Sequence, residues 1–306
     1  MKKNPLLDRD VISMRDFDRD DIVAILERCQ EFERNKKRLL EGKVLANLFF
    51  EPSTRTRLSF DSAMKRLGGT TIGFADAVST STSKGESLWD TIRVAEGYCD
   101  VIVLRHPAEG SARLAAEATK LPVINGGDGS NQHPTQTLVD LYTLKKRTGR
   151  IDGLKVAFVG DLKYGRTVHS LIRMLSIFGA RLCLVAPPSL QLPMDHLEDL
   201  LEDSTATTSG TDINCVPDDV DVIYLTRIQK ERFADAVEYE RVRNAYQVSP
   251  ASVARFGPKV TLMHPLPRVN EVHPALDEHP GAAWFDQARN GVVVRQTLLA
   301  LVLGAA

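Results

Sequence analysis

Short apolar runs alternate along the chain with longer segments in which apolar residues return every three or four positions. The run at 44–48 has the continuous character of a buried strand. Behind it, Leu58, Phe60, Ala63, Met64 and Leu67 recur at helical spacing. The same pairing repeats downstream. Strands are predicted at 101–104, 122–125, 154–160, 181–186, 220–225 and 260–263, and helices at 88–97, 108–119, 135–146, 167–178 and 193–201. Residues 68–74 turn into a further short strand, and 213–216 give one inside the polar stretch 203–219. A long amphipathic pattern at 10–40 opens the chain, with Asp18 as its N-cap, and an apolar helix at 292–303 closes it. Strand–helix alternation on this scale predicts the α/β class. The polar break at 148–150 predicts a boundary between two domains, 1–149 and 150–289.

Composition narrows the classes of function. Lys and Arg total 39 against 40 Asp and Glu, a net charge of −1, which argues against a general nucleic-acid surface. Any anion site must be local. The four cysteines are scattered at 29, 99, 183 and 215, and no Cys or His spacing suits a metal or a disulfide framework. No metal or cofactor is expected. The first ten residues lack an apolar signal core and no apolar run is long enough to span a bilayer, so the expected setting is the cytoplasm, away from membranes.

Candidate chemistry sits where strands end. Residues 52–56 fall between a strand and a helix, where free N–H groups and the helix dipole favour an anion. Ser53, Thr54 and Thr56 add hydroxyls, and Arg55 adds a guanidinium fork suited to phosphate. Ser53 or Thr54 acting only as a helix cap is the plainer alternative. Arg57 points away from Arg55 on the helix and is expected to pair with a carboxylate. The polar loop 79–86 is either a surface loop or a lid offering hydroxyls and Lys84. Arg105 follows one buried strand directly, and His133 and Gln136 flank a helix start whose first residue is Pro134. In the second half, Gly160 and Gly165 do not spell a dinucleotide fingerprint, and Lys163 and Arg166 intrude where a pyrophosphate would lie. Arg227 and Gln229 share one face of an extended segment, and Leu266, Pro267 and Arg268 lie in a stiff turn. The collected set is rich in cations and hydroxyls and poor in bases. It suits transfer between two anionic substrates by positioning and charge stabilisation.

The motif Phe-x-x-Ser-Thr-Arg-Thr-Arg at 50–57 resembles the carbamoyl-phosphate signature of the aspartate/ornithine transcarbamylase superfamily. The likeness continues through Lys-Gly-Glu at 84–86, Arg-His-Pro at 105–107 and Gly-Asp-Gly-x-x-Gln-His-Pro-Thr-Gln at 127–136. It extends to Gly-Asp-Leu-x-x-Gly-Arg at 160–166, Thr-Arg-x-Gln-x-Glu-Arg at 226–232 and His-Pro-Leu-Pro-Arg at 264–268. The last two segments point to the aspartate-specific catalytic chains.

The resemblance implies two domains, each a mostly parallel sheet flanked by helices, with the C-terminal helix (about 290–306) returning to the first. It implies that Ser53, Thr54, Arg55 and Thr56 hold the phosphate of carbamoyl phosphate. Arg105, His133 and Gln136 would hold its carbamoyl end, with backbone contacts from Leu266 and Pro267. Arg166, Arg227, Gln229 and Lys84 would bind aspartate. Arg55, Thr56, Lys84, Arg105 and His133 would carry the catalysis. Ser81 (or Ser79 or Ser83 of the same loop) and Lys84 would reach a neighbouring subunit's site, which implies a homotrimer with shared sites. Some members associate with regulatory chains or with dihydroorotase.

Overall fold

The structure, a computed structural model, describes every residue except 1–3, 36, 78–83, 203, 204 and 234. The chain forms two compact units: Met1–Tyr142 with Arg289–Ala306, and Thr143–Ala288.

In the first unit, helix α1 (Arg19–Arg34) starts where Asp18 accepts a hydrogen bond from the Asp21 amide. Four parallel strands follow: β1 (Val44–Phe49), β2 (Thr70–Phe74), β3 (Val101–His106) and β4 (Val123–Asp128). Helices α2 (Thr54–Arg66), α3 (Leu88–Ala95) and α4 (Ser111–Ala118) connect them, and α5 (Pro134–Thr148) leaves β4. The sheet order is β2-β1-β3-β4. Side chains alternate across it: Ala46, Leu48, Ile102 and Leu104 pack on Ile92, Ala112 and Ala115, while Leu45, Phe49, Val101 and Val103 are buried on the other face. Both faces being covered explains why these strands read as unbroken apolar runs.

The second unit has five parallel strands in the order β7-β6-β5-β8-β9: β5 (Lys155–Val159), β6 (Arg181–Val185), β7 (Thr207–Gly210), β8 (Val222–Leu225) and β9 (Thr261–Met263). Its helices are α6 (Arg166–Ile177), α7 (Met194–Glu202), α8 (Ala236–Val242) and the single turn α9 (Pro250–Val253). Ala157, Val159, Ile223 and Leu225 pack with Tyr246, Phe256 and Trp284. Helix α10 (Trp284–Val302) begins in this unit and ends in the first, where Leu298, Leu299 and Leu301 are fully buried.

Two expectations are corrected. The strand expected at 213–216 is a 3-10 turn, Ile213–Cys215, nucleated by the Asp212 carboxylate accepting from the Asn214 amide at 2.7 Å. The strand lies at Thr207–Gly210 instead, an edge strand without an apolar face to announce it. The closing helix starts at Trp284, eight residues before the apolar run at 292. No helix among the described residues is long and apolar enough to cross a membrane, and none of their His, Cys, Asp and Glu groups forms a metal cluster.

Candidate functional site

Both sheets reverse their strand order once. In the first, the chain moves from β1 outward to β2, then returns to place β3 on the other side of β1. In the second it moves from β5 through β6 to β7, then returns to place β8 beside β5. A crevice opens beyond the strand ends at such a point, because the flanking connections leave in opposite directions. Ser53 to Thr56 and Arg105 follow the two strands at the first of these places, and Arg166, Arg227 and Gln229 follow the two at the second; His133 and Gln136 come after β4, and Leu266 to Arg268 after β9.

In the first unit, β1 delivers 50–53 to the start of α2. Ser53 occupies the N-cap position with extended backbone, yet its hydroxyl makes no capping bond. The first turn of α2 contains no acidic residue, so its positive end faces outward uncompensated. Thr54 and Arg55 are exposed and Thr56 is buried. Capping alone therefore does not account for this cluster. Arg57 makes no ion pair among the described residues, against expectation, and its Nε is buried without a hydrogen-bond partner. The nearby Asp61 is engaged otherwise, accepting from Asn47 Nδ2 at 2.7 Å.

From β3 comes Arg105, beside a register shift between Leu104 and His106. Its guanidinium meets the Glu51 carboxylate at 2.6 Å and donates to the Gly126 carbonyl at 3.1 Å. Two contacts, one from the segment after β1 and one from β4, thus fix the fork in place. Next to it, burial lowers the pKa of His106, whose Nδ1 accepts from the Ala108 amide.

The glycine-rich loop after β4 is organised by a group the sequence reading left without a role. The buried Asp128 carboxylate accepts from Asn125 Nδ2 (2.8 Å) and from the Gln132 amide, the Gly110 amide and Asn131 Nδ2 (3.0 Å each). Gly129 adopts φ +57, and a Cβ there would lie 2.7 Å from the Pro107 carbonyl. This frame sets down His133, whose carbonyl accepts from the amides of Gln136 and Thr137 at the start of α5. Gln136 follows in the first turn, its Nε2 donating to Asp140 at 2.7 Å. Lys84 is exposed, and Ser79, Ser81 and Ser83 lie outside the described residues.

In the second unit, Gly160 ends β5 against β8. A Cβ on it would stand 2.3 Å from the Thr226 carbonyl, at φ +130, so only glycine permits this approach. The buried Asp161 ties the two strand ends together, accepting from the Tyr164 amide (2.9 Å) and the Gln229 amide (3.4 Å). Burial raises its pKa, opposed by these amides and by Arg227. Gln229 Nε2 donates to the Tyr164 carbonyl at 3.0 Å, and Arg166 opens α6 from the same loop. The second switch point thus carries Arg166, Arg227 and Gln229 on neighbouring loops.

The turn after β9 hangs on His264. Its Nδ1 accepts from the Leu266 amide (2.9 Å), so the ring proton lies on Nε2 and is donated to Glu271 (2.8 Å). Leu266 adopts φ 59, costly for a branched side chain, and is held there by that bond. Arg268 is taken up by the frame: it pairs with both carboxylate oxygens of Asp277 and lies over the Trp284 ring. Its place after a strand suggested a ligand contact; its contacts are structural.

Comparison with known proteins adds to this geometry. Residues 9–146 match the family model described as aspartate/ornithine carbamoyltransferase, carbamoyl-P binding domain. Residues 152–302 match that of the Asp/Orn binding domain of the same family. The chain is 55% identical over 301 residues to the aspartate carbamoyltransferase catalytic subunit of Thermococcus onnurineus, covering 97% of each chain. It is 53% identical to that of Methanopyrus kandleri, again over 97% of both. Among solved structures it resembles the M. jannaschii aspartate transcarbamoylase catalytic subunit (TM-score 0.88, 52% identity, 95% and 96% coverage). It also resembles the Trypanosoma cruzi aspartate transcarbamoylase solved with carbamoyl phosphate and aspartate (TM-score 0.91, 36% identity, 97% of each chain).

Proposed function

The chain belongs to the aspartate/ornithine carbamoyltransferase family, and from that premise we propose that it transfers the carbamoyl group of carbamoyl phosphate to L-aspartate. The products are N-carbamoyl-L-aspartate and phosphate, a step of pyrimidine biosynthesis. The observation that carries this reading is the placement of one cation-rich residue set at the switch point of each sheet, within a chain matched by both family domains.

In this reading the α2 start, with Ser53, Thr54, Arg55 and Thr56, holds the phosphate, since outward N–H groups and an uncompensated dipole favour a dianion. Arg105, His133 and Gln136 hold the carbamoyl end, and the Leu266 and Pro267 backbone adds contacts. Arg166, Arg227, Gln229 and Lys84 bind aspartate. The aspartate amine attacks the carbamoyl carbon to give a tetrahedral intermediate. The bond from that carbon to the bridging oxygen then breaks, and its electron pair leaves with phosphate. Arg55, Arg105 and Lys84 stabilise the developing charge, and Thr56 and His133 support the oxyanion. The departing phosphate accepts the amine proton, which fits a residue set without a free carboxylate base.

The reading extends to a homotrimer in which the 79–86 loop, with Ser81 and Lys84, serves the neighbouring copy. The support is the β2 edge of the first sheet, beside which no further strand lies among the described residues. Edge strand β2 has Ile72 43% exposed, and Leu58, Trp89, Val94 and Tyr98 of the flanking segments are also exposed. Parallel sheets are usually covered, and an apolar edge of this kind suits a second copy of the chain.

Product formation from carbamoyl phosphate with L-aspartate, run against L-ornithine with the purified chain, tests the reaction. Turnover with aspartate alone is expected. Turnover with ornithine would overturn the assignment of the second unit. Arg55→Ala should lower kcat/KM for carbamoyl phosphate by about a hundredfold or more, the range of a lost charge-stabilising donor.

A further inference from the structure

Carbamoyl phosphate differs from other acyl phosphates by its amino group. Recognising that group requires a hydrogen-bond acceptor, because the amino group donates. The cation-rich first-unit set supplies few acceptors. The amide of Gln136 has one, Oε1, but an amide can present either end. What fixes the end presented is therefore a determinant of specificity.

Gln136 lies in the first turn of α5, and Asp140 lies one turn on, the spacing at which helix side chains meet. Asp140 is fully buried and accepts from Gln136 Nε2 at 2.7 Å, a length typical of a charge-assisted bond. A carboxylate only accepts, so Oε1 cannot turn toward it without oxygen facing oxygen. Oε1 is left without a partner among the described residues.

A buried cation accompanies this carboxylate. Arg295 of α10 is only 4% exposed, and Asp140 is the charge that supports its protonated form. Burial draws the Arg295 pKa down only to about 10, so the cation persists at neutral pH. The guanidinium lies over the Phe60 ring at 5.1 Å, with Nη2 3.5 Å from Thr135 Oγ1. Gly291 makes room for it, since a Cβ there would stand 2.4 Å from Nη1. Asp140 thus answers to two neighbours, Gln136 through a hydrogen bond and Arg295 through its charge.

We propose that Asp140 is a specificity-determining positioning residue: it orients the Gln136 amide so that Oε1 receives the amino group of carbamoyl phosphate. Phosphates of acyl groups lacking that donor are thereby disfavoured. This rests on the reading of the first-unit set given above.

Acetyl phosphate, with a methyl in place of the amino group, is the probe. Binding of carbamoyl, acetyl and inorganic phosphate is measured by calorimetry on the unsubstituted protein, Asp140→Asn, Gln136→Met and the double variant. Asp140→Asn should weaken carbamoyl phosphate about tenfold, the weight of one hydrogen bond, with acetyl and inorganic phosphate within about twofold. Gln136→Met should show the same loss, and the double variant no more than either. Equal weakening of carbamoyl and acetyl phosphate in Asp140→Asn would reduce Asp140 to a structural role and overturn the proposal. Unchanged carbamoyl phosphate affinity would also overturn it. Should Asp140→Asn fail to fold, Asp140→Ser takes its place under the same two overturning results, and an undiminished preference for carbamoyl over acetyl phosphate in Gln136→Met overturns the proposal as well. Absence of binding by all three ligands to the unsubstituted protein would instead overturn the underlying functional reading, and this proposal with it.

Discussion

Replacing Asp128 by asparagine tests the frame on which half of the first-unit set is built. Each carboxylate oxygen serves two donors: Oδ1 takes Asn125 Nδ2 and the Gln132 amide, and Oδ2 takes the Gly110 amide and Asn131 Nδ2. An asparagine keeps one acceptor oxygen and turns an NH2 toward the other pair. No flip of the amide avoids this, because both ends already face donors. In the less costly orientation the NH2 faces the Gly110 amide and the exposed Asn131, whose side chain can turn its own oxygen to it, so the unrelieved loss is that of one backbone donor, about 1–3 kcal/mol. That is a large part of the margin of an ordinary domain. Urea unfolding should show a lower midpoint. Hydrogen exchange gives the local readout, since the Gly110 or the Gln132 amide, whichever faces the new NH2, should lose protection while amides of the second sheet keep theirs. His133 follows Gln132 directly, so kcat/KM for carbamoyl phosphate should fall as well. A variant within about 0.5 kcal/mol of the unsubstituted protein, with unaltered exchange at both amides, would refute this account of the loop.

Two further perturbations bear on the frame. His169 is buried, stacks on His196 at 4.2 Å and makes a hydrogen bond from Nε2 to the Leu162 carbonyl, so burial and its neighbour lower its pKa to about 4 from 6.5. Between those values the unfolded chain binds a proton that the folded chain refuses. Stability should fall by up to about 3 kcal/mol as pH drops from 6.5 to 4, and His169→Gln, compared by urea unfolding across that window, should lose this slope. Gly291→Ala should destabilise although alanine is the better helix former by about 1 kcal/mol, because its Cβ must displace a buried guanidinium; a raised melting temperature would sink that reasoning.

What the sequence made legible were features with a local signature. Buried strands such as 101–104 announce themselves by continuous apolar runs, and the cations beyond them follow from strand ends alone. Thr207–Gly210 is a strand by pairing with β6, a long-range fact with no trace in its own residues. The helical turns between 236 and 253 are short and went unread for the same reason. Within the site, the cations and hydroxyls were readable, and the buried acids that set them were not. Asp128, Asp161 and Glu271 look like any polar loop residue until the fold surrounds them with amides and, for Glu271, a histidine. Asp140 alone left a usable signal, four residues after Gln136 in a helical pattern.

Helix α10 begins among residues of the second unit and finishes in the core of the first, carrying Leu298, Leu299 and Arg295 with it. The order of synthesis is thereby inverted with respect to the order of completion. A nascent chain that has emerged through residue 288 can assemble the second unit in full. Its first unit, made earlier, still lacks the strip of side chains that seals it and the buried Arg295 cation. The half of the protein translated first is the half that must wait, its apolar surface open to chaperones until residues 289–302 arrive.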